Sequence, residues 1–147
     1  MMLRLVLDTS VVLKWVRQEE ILAEQALDIL NSYLEGRSRV IVPTLLAYEV
    51  ANVLRYKNEL TTAHLEAAIQ SLFDLGLEWI AVSSDTIRRS VNLARAYDTS
   101  VYDAVFAALA ESTGATLITA DARLVQRLEG LSFVVFLGEI ANHFQLS

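Results

Sequence analysis

The segment LRLVLDTS (residues 3–10) joins an apolar run of strand length to one carboxylate and then to two hydroxyl side chains. A short apolar run of this kind is typical of a strand buried in a parallel sheet. The pattern predicts a buried strand over Leu3–Leu7 and a short helix over about Thr9–Arg17. Asp8 then lies at the carboxyl end of the strand, which is where ligands bind in open α/β sheets.

The rest of the chain continues this alternation of strands and helices. Further strands are predicted at Arg39–Pro43, Leu77–Val82, Thr116–Thr119 and Phe133–Phe136. Helices are predicted at Glu20–Leu34, Thr44–Lys57, Thr62–Leu75, from Ser84 or Asp85 to Tyr97, at Val101–Ser112 and at Ala122–Leu128, with one more helical turn in the segment 138–144. Thr44, which follows the only proline, is a candidate N-cap. The alternation predicts an α/β fold with a mainly parallel sheet covered on both faces.

The composition narrows the class of protein. The chain has 147 residues, of which 54% are hydrophobic, so we expect a single domain over residues 1–147 with a sizeable core. The first apolar run is too short for a signal peptide, and no run approaches the roughly 18 residues of a membrane helix, so we expect a cytoplasmic protein. The absence of cysteine excludes thiolate nucleophiles and zinc–cysteine sites. A net charge of −6 argues against a general nucleic-acid coat, although it permits an enzyme that contacts nucleic acid locally.

Four carboxylates stand in apolar surroundings, at Asp8, Glu49, Asp103 and Asp121. A lone carboxylate in such a place is costly to desolvate unless it is paired or bound to a cation. Each also has a structural alternative. Asp8 and Asp121 could be helix N-caps, Asp103 fits a capping box with Ser100, and Glu49 could lie on a solvent face. If the four meet at one place, they form a site for a hard divalent metal.

The segments that contain these acids resemble, in order and spacing, the PIN-domain family. They are LVLDTS (5–10), VPTLLAYEVAN (42–52), SVYDAVFAALA (100–110) and LITADARL (117–124). The best match is to the VapC-type toxin ribonucleases of type II toxin–antitoxin systems. The resemblance implies a three-layer α/β/α fold with a five-stranded parallel sheet. It also implies a Mg²⁺-dependent endoribonuclease toxin, with Mn²⁺ as a substitute, that forms homodimers and binds a VapB-like antitoxin.

The resemblance also assigns roles to residues. It makes catalytic metal ligands of Asp8, Glu49, Asp103 and Asp121. Thr9 or Ser10, together with Thr119, would supply supporting hydroxyls, and Asn52 a supporting amide. Asp98 either enlarges the site or caps the turn before the next helix, and the cap is the interpretation we favour.

Contact with RNA requires positive charge near these acids. The candidates are Lys14, Arg17, Arg55, Lys57 and Arg123, each of which could instead be solvated or weakly ion-paired. Trp15 and Tyr48 could stack on a base, although aromatic residues at helical spacing more often belong to a core. His64 and His143 lie outside the motifs and are interpreted as structural or surface residues. A paired-histidine ribonuclease mechanism therefore lacks its acid and base.

Two other functions are compatible with parts of this pattern. A catalytically silent PIN-like module acting as a binding partner in RNA processing would share the fold, but the intact acidic set argues against it. A phosphoryl-transfer enzyme of the aspartyl-phosphate type also places an aspartate after its first strand. Such an enzyme needs a second acidic residue close by, and Ser10 occupies the expected position.

Overall fold

The computed structural model of the protein describes residues 2–145, which form five strands, eight α-helices and one 3₁₀ turn. The elements run in the order β1 Leu3–Leu7, α1 Thr9–Val16, α2 Ala23–Leu34, β2 Ser38–Pro43, α3 Leu45–Arg55, α4 Thr62–Asp74, β3 Glu78–Ile80, α5 Ser84–Tyr97, α6 Val101–Thr113, β4 Thr116–Thr119, α7 Ala122–Arg127, β5 Val134–Phe136, a 3₁₀ turn Leu137–Glu139 and α8 Ile140–His143. Every predicted element is present, and most boundaries agree within two residues.

The five strands form one parallel sheet in the order β3-β2-β1-β4-β5. Helices cover both of its faces, which confirms the predicted three-layer α/β/α architecture. The first strand is central, because Leu5 is in register with Val40 of β2 and with Thr116 of β4. The carboxyl ends of β1 and β4 are therefore neighbours, and the backbone amide of Asp8 donates to the carbonyl of Ile118 at 3.3 Å.

Helix α6 lies deep in the core, since every residue from Ala104 to Ala110 is buried. It begins at a Ser100 cap, whose hydroxyl accepts from the backbone amide of Asp103 at 3.0 Å. The apolar body of the helix is packed while its first turn reaches the sheet edge. This packing fixes the position of Asp103 relative to the carboxyl ends of the strands. Within residues 2–145, every helix is too short or too polar to cross a bilayer.

Helix α2 begins at Ala23, three residues later than the predicted start at Glu20. Glu20 instead forms ion pairs with Lys14 at 3.3 Å and with Arg17 at 2.9 Å, both measured between side-chain nitrogen and oxygen atoms. Leu22 adopts a left-handed conformation with a φ of 67°. The contacts between α1 and the following loop therefore override the helical periodicity.

Two predicted helix caps differ in the structure, although Thr44 does stand directly before the first residue of α3. Thr44 already has helical dihedral angles and its side chain makes no capping bond, whereas a capping residue is normally extended. The cap of α5 is Ser83, not Ser84 or Asp85. The Ser83 backbone is extended, and its hydroxyl accepts from the backbone amide of Thr86 at 3.1 Å. Ser83, Ser84 and Asp85 are consecutive residues that can each cap a helix, so the sequence alone does not distinguish them.

Candidate metal centre

The four predicted carboxylates line one cavity of about 250 Å³ at the carboxyl edge of the sheet. Asp8 follows β1, Glu49 lies on α3, Asp103 lies in the first turn of α6, and Asp121 lies in the loop after β4. The cavity is lined by Asp8, Thr9, Ser10, Glu49, Asn52, Val53, Asp103, Phe106 and Asp121. The structure thus brings together residues that are far apart in sequence.

Asp8 lies at the base of this cavity with only 6% of its surface exposed. Its Oδ1 accepts from the backbone amide of Ser10 at 3.1 Å and from the Ser10 hydroxyl, and its Oδ2 accepts from the Thr119 hydroxyl at 2.6 Å. These bonds use three of the roughly four acceptor positions of a carboxylate. Burial raises the pKa of Asp8 to about 6 against the opposing effect of these hydrogen bonds, and the charge of Asp103 adds to the increase. Asp8 is therefore both the N-cap of α1 and a buried, largely immobilised carboxyl group.

The two hydroxyl groups beside Asp8 connect β1 to the loop after β4. The Ser10 hydroxyl accepts from the backbone amide of Ala120 at 2.9 Å, and the Thr119 hydroxyl accepts from the amide of Asp121 at 3.1 Å. Each hydroxyl thus donates to Asp8 and accepts from the backbone of that loop. Ser10 and Thr119 thereby hold the segment leading to Asp121 against the end of β1.

Glu49 enters the cavity from α3 and is half-buried. Its Oε1 accepts from the Thr9 hydroxyl at 2.6 Å. Burial raises the pKa of Glu49, the hydrogen bond from Thr9 opposes this, and the charge of Asp103 raises it further. Asn52 lines the same cavity three residues later, as their shared helical face predicts.

Asp103 and Asp121 form the outer side of the cavity. Burial raises the pKa of Asp103, and the charge of Asp121 raises it further, while Arg127 acts in the opposite direction. Asp121 is exposed and caps α7, with Oδ1 accepting from the backbone amides of Arg123 at 3.0 Å and Leu124 at 3.2 Å. The cap uses one oxygen of Asp121, so the capping role and a ligand role are compatible.

The electrostatics of the cavity fit a hydrated hard cation. Across residues 2–145, none of the four carboxylates forms an ion pair with a basic side chain, and no three acidic or histidine side chains stand close enough to chelate one ion directly. Mg²⁺ retains several of its waters and is typically bound by one or two carboxylates. Among residues 2–145, the donor atoms are all oxygens and carry charge that no basic side chain neutralises. They therefore suit a Mg²⁺ ion that keeps part of its water shell better than an ion that all four carboxylates must bind directly.

Several predicted residues lie elsewhere. Lys14 is buried, Arg17 is partly exposed, and both form ion pairs with Glu20, so their contact with RNA stays a prediction that these contacts do not favour. Trp15 is a core residue, because it is buried and its indole Nε1 donates to the carbonyl of Ala26 at 2.9 Å. Lys14 and Arg17 are both bound by Glu20, which lies in the loop before α2 and was predicted to begin that helix.

Other candidates are exposed but peripheral. Arg55 stacks over the ring of Tyr56 at 4.6 Å from its centroid, and the side chain of Tyr48 is 73% exposed. His64 and His143 are exposed on α4 and α8 and are not among the residues that line the cavity.

Asp98 is absent from the residues that line the cavity. It ends α5 in a left-handed conformation with a φ of 54°, and its carbonyl accepts from Arg127 Nη1 at 2.6 Å. Asp98 is therefore the C-cap residue of α5, in the turn before α6, whereas the cap of α6 is Ser100. Short polar residues such as aspartate adopt this conformation more readily than others do.

Sequence reasoning missed Arg127. This side chain borders a second cavity of about 190 Å³, which is lined by Thr99, Asp103, Asp121, Arg123, Leu124 and Arg127. The signal was available, because residues four apart share one face of a helix and Arg123 was already a candidate. Its nearness to Asp103 depends on the tertiary packing of α7 against β4 and β5, which the sequence does not encode locally.

Solved structures share this fold at low sequence identity. The chain is similar to a toxin–antitoxin complex from Klebsiella pneumoniae, with 22% identity and a TM-score of 0.66 over 90% of this chain and 96% of that one. It is similar to VapBC2 from Rickettsia felis bound to a promoter DNA fragment, with 12% identity and a TM-score of 0.67 over 91% and 97%. It is also similar to Mycobacterium tuberculosis VapC20, described as a sarcin–ricin loop cleaving toxin, with 14% identity and a TM-score of 0.64 over 83% and 93%.

The comparison of sequences gives the family. No curated protein matches the chain. The family model of the PIN domain matches residues 5–130, which include most of β1, the whole of β2, β3 and β4, and all four carboxylates. The match therefore covers most of the chain and the whole of the candidate centre, and the protein belongs to the PIN domain family.

Proposed function

We propose that this protein is a Mg²⁺-dependent endoribonuclease and the toxin of a VapBC-type toxin–antitoxin system. The observation that carries the proposal is the convergence of Asp8, Glu49, Asp103 and Asp121 on one cavity, with no cationic side chain of residues 2–145 paired to them. The fold supports it, because similar structures include toxin–antitoxin complexes and an RNA-cleaving toxin. We expect the protein to act in the cytoplasm.

Hydrogen bonds within the cavity orient two of its carboxylates. Asp8 is held by Ser10 and Thr119, and Glu49 by Thr9, so their oxygens are oriented before a ligand arrives. Such outer hydrogen bonds position ligating carboxylates and tune their basicity. When bound, Mg²⁺ or Mn²⁺ would supply an activated water and stabilise the charge that develops on the scissile phosphate.

Asp103 and Asp121 lie on the outer side of the cavity, where the RNA backbone would approach. Their charges repel each other, and burial raises the pKa of Asp103. The four carboxylates together repel a phosphodiester unless a cation compensates for them. The metal and the RNA backbone are therefore expected to bind cooperatively.

Metal binding should stabilise the protein against heat. Burial and mutual repulsion raise the pKa values of Asp8, Glu49 and Asp103, so the metal-free cluster opposes folding at neutral pH. A ligand that binds only the folded state adds about 2.7 kcal/mol when present at a hundred times its Kd. We expect millimolar Mg²⁺ or Mn²⁺ to raise Tm relative to EDTA. An unchanged Tm in either metal would count against a metal site.

The catalytic proposal is tested by incubating the purified protein with structured RNA. Internal cleavage should occur in Mn²⁺ or Mg²⁺ and stop on addition of EDTA. A silent PIN-like binding module would retain RNA without cutting it, whereas metal-independent cleavage would indicate another active site or a contaminant. EDTA is the informative control, because within residues 2–145 no histidine lines the cavity and could act as acid or base in place of a metal.

The proposed partners are a VapB-like antitoxin and a second copy of the chain. The similarity to toxin–antitoxin complexes supports the antitoxin. Exposed apolar side chains support self-association, since Tyr48, Val82 and Tyr102 surround a largely apolar cavity of about 250 Å³ between α3, β3, α5 and α6. Exposed apolar patches often mark such contacts. Sedimentation equilibrium should give the mass of a dimer, and a monomer at every concentration would contradict this part of the proposal.

A further inference from the structure

The second cavity adjoins the carboxylate cavity and shares Asp103 and Asp121 with it. Its other side is formed by Arg123 and Arg127, which lie four residues apart on α7 and therefore share a helical face. Thr99 completes the polar part of the lining. The cleft thus passes from a strongly acidic region to a basic one across two shared aspartates.

Among residues 2–145, the two arginines are outside the ion pairs that hold half of the basic side chains of this chain. Six of the twelve basic side chains, Lys14, Arg17, Arg37, Arg39, Arg88 and Arg89, form ion pairs with acidic residues. Within residues 2–145 the Arg123 side chain has no hydrogen-bond or ion-pair partner. Arg127 donates from Nη1 to the carbonyl of Asp98, which leaves its other donors available. A guanidinium group has five such donors.

An available pair of guanidinium groups is suited to phosphate. Arginine binds phosphate oxygens in a bidentate manner, with more directional contacts than lysine provides. A free anion would be repelled by Asp103 and Asp121, whereas a polyanion that also engages a metal in the adjoining cavity would not. The geometry therefore favours one internucleotide phosphate of an RNA whose neighbouring phosphate lies at the carboxylates.

We propose that Arg123 and Arg127 form a subsite for the RNA phosphate next to the scissile one. The proposal rests on the endoribonuclease function proposed above and specifies how its substrate lies in the cleft. Arg127 contacts α5 through Asp98 and borders Asp103 on α6, so the subsite is fixed relative to the carboxylates. The two arginines hold the backbone in position, and the carboxylates act on it.

The competing explanation is that both arginines only compensate for nearby acidic charge. Arg127 does lower the pKa of Asp103, as such compensation requires. A compensating charge affects folding and the acidic cluster, but it does not release counterions when RNA binds. The salt dependence of RNA affinity therefore separates the two explanations. Removing one arginine that binds a phosphate should reduce the slope of log K against log salt by about 0.7 for single strands.

The experiment measures binding of a short fluorescein-labelled single-stranded RNA in Mg²⁺ across a KCl series. The parent carries Glu49→Gln, which lies outside the arginine-lined cavity and is expected to prevent cleavage during the measurement. Arg123→Ala and Arg127→Ala are expected to weaken binding by about tenfold each and to reduce the salt slope by about 0.7 each. Arg95→Ala on α5 is the matched control, because Arg95 is exposed and outside the ion pairs of the described residues.

Kinetics in the chain with Glu49 intact provide the second measurement. Arg123→Ala should raise KM for RNA and leave kcat nearly unchanged, since a positioning contact is made in both ground and transition states. Arg123→Lys should retain the salt slope because it keeps the charge. If Arg127→Ala lowers Tm through loss of its bond to Asp98, Arg123→Ala still decides the question, because its side chain has no partner to lose among the described residues.

Each result has a distinct meaning. Affinity, salt slope and KM equal to those of Arg95→Ala would overturn the subsite and leave the nuclease proposal intact. Reduced affinity and slope in a protein that never cleaves RNA would support the subsite and overturn the proposed catalysis. A protein that neither binds nor cleaves RNA in Mg²⁺ or Mn²⁺ would overturn both.

Discussion

Asp8→Asn and Asp103→Asn are each expected to reduce Mn²⁺-dependent RNA cleavage by about 10²- to 10³-fold or more while the fold is retained. Both carboxylates line the cavity, and asparagine keeps their size but removes the negative charge that attracts a cation. A metal ion stabilises the transition state by several kcal/mol, and each 1.4 kcal/mol corresponds to a factor of about ten in rate. The measurement is the initial cleavage rate at saturating Mn²⁺, with circular dichroism to verify the fold.

Two substitutions of the same chemical kind are the controls. Asp28→Asn changes an exposed residue on α2 that takes no part in the cavity, and full activity is expected. Asp98→Asn tests the acid that could have enlarged the site. Its turn position and its absence from the cavity lining predict an activity close to that of the unsubstituted chain.

Full cleavage activity in both Asp8→Asn and Asp103→Asn would exclude the carboxylate mechanism. Loss of activity in Asp98→Asn, with a normal Tm, would instead assign Asp98 to the site despite its absence from the cavity lining. Loss in Asp28→Asn would indicate that the assay reports something other than the cleft.

The convergence of Asp8 and Asp121 could be predicted from local clues, whereas the roles of Glu49 and Asp103 were implied by the resemblance to the PIN-domain family. Asp8 and Asp121 each follow a strand, and the carboxyl ends of parallel strands meet at one edge of a sheet. Their capping roles are also real, as the backbone amides bound to Asp8 and Asp121 show. The capping and site interpretations were therefore not alternatives, since one carboxylate has enough acceptor positions for both.

The basic residues were less predictable because their availability depends on tertiary contacts. Lys14 follows Asp8 on α1, but the loop before α2 brings Glu20 to it. Arg127 was overlooked because it lies six residues beyond Asp121, although α7 places it beside the cleft. Proximity along the chain is a poor guide to which cation faces a site, since helix packing decides it.

The second large effect concerns stability and pH, and it arises from the burial of Asp8. Burial raises the pKa of this carboxyl from an ordinary 3.8 to about 6 in the folded protein. Well below pH 3.8 both the folded and the unfolded states hold the proton, so Asp8 has no effect. As pH rises from about 4 to about 6 and above, the unfolded state releases the proton more readily, and folding becomes less favourable. One pKa unit corresponds to about 1.4 kcal/mol, so the metal-free protein loses about 3 kcal/mol by pH 7.

We therefore expect Asp8→Asn to stabilise the protein in EDTA at pH 7.5 while it removes activity. Asparagine is neutral at every pH, its Oδ1 can accept from Ser10, and its Nδ2 can donate to the Thr119 hydroxyl. A gain of about 3 kcal/mol corresponds to roughly 10 °C in Tm for a domain of this size. The difference from the unsubstituted chain should shrink as pH falls toward 4.

Comparison at each pH removes from the difference the titrating groups that do not interact with Asp8. The Arg89–Glu111 pair, which lowers the pKa of Glu111, is present in both chains and cancels. Mg²⁺ should reduce this difference at pH 7.5, because it binds more tightly to the chain that retains the Asp8 carboxylate. A Tm difference that is independent of pH, or a less stable Asp8→Asn protein in EDTA, would mean that Asp8 is retained for the fold and not for a cation. A more stable Asp8→Asn protein in EDTA, with a Tm difference that grows with pH, would show that the ionised Asp8 carboxylate destabilises the metal-free fold.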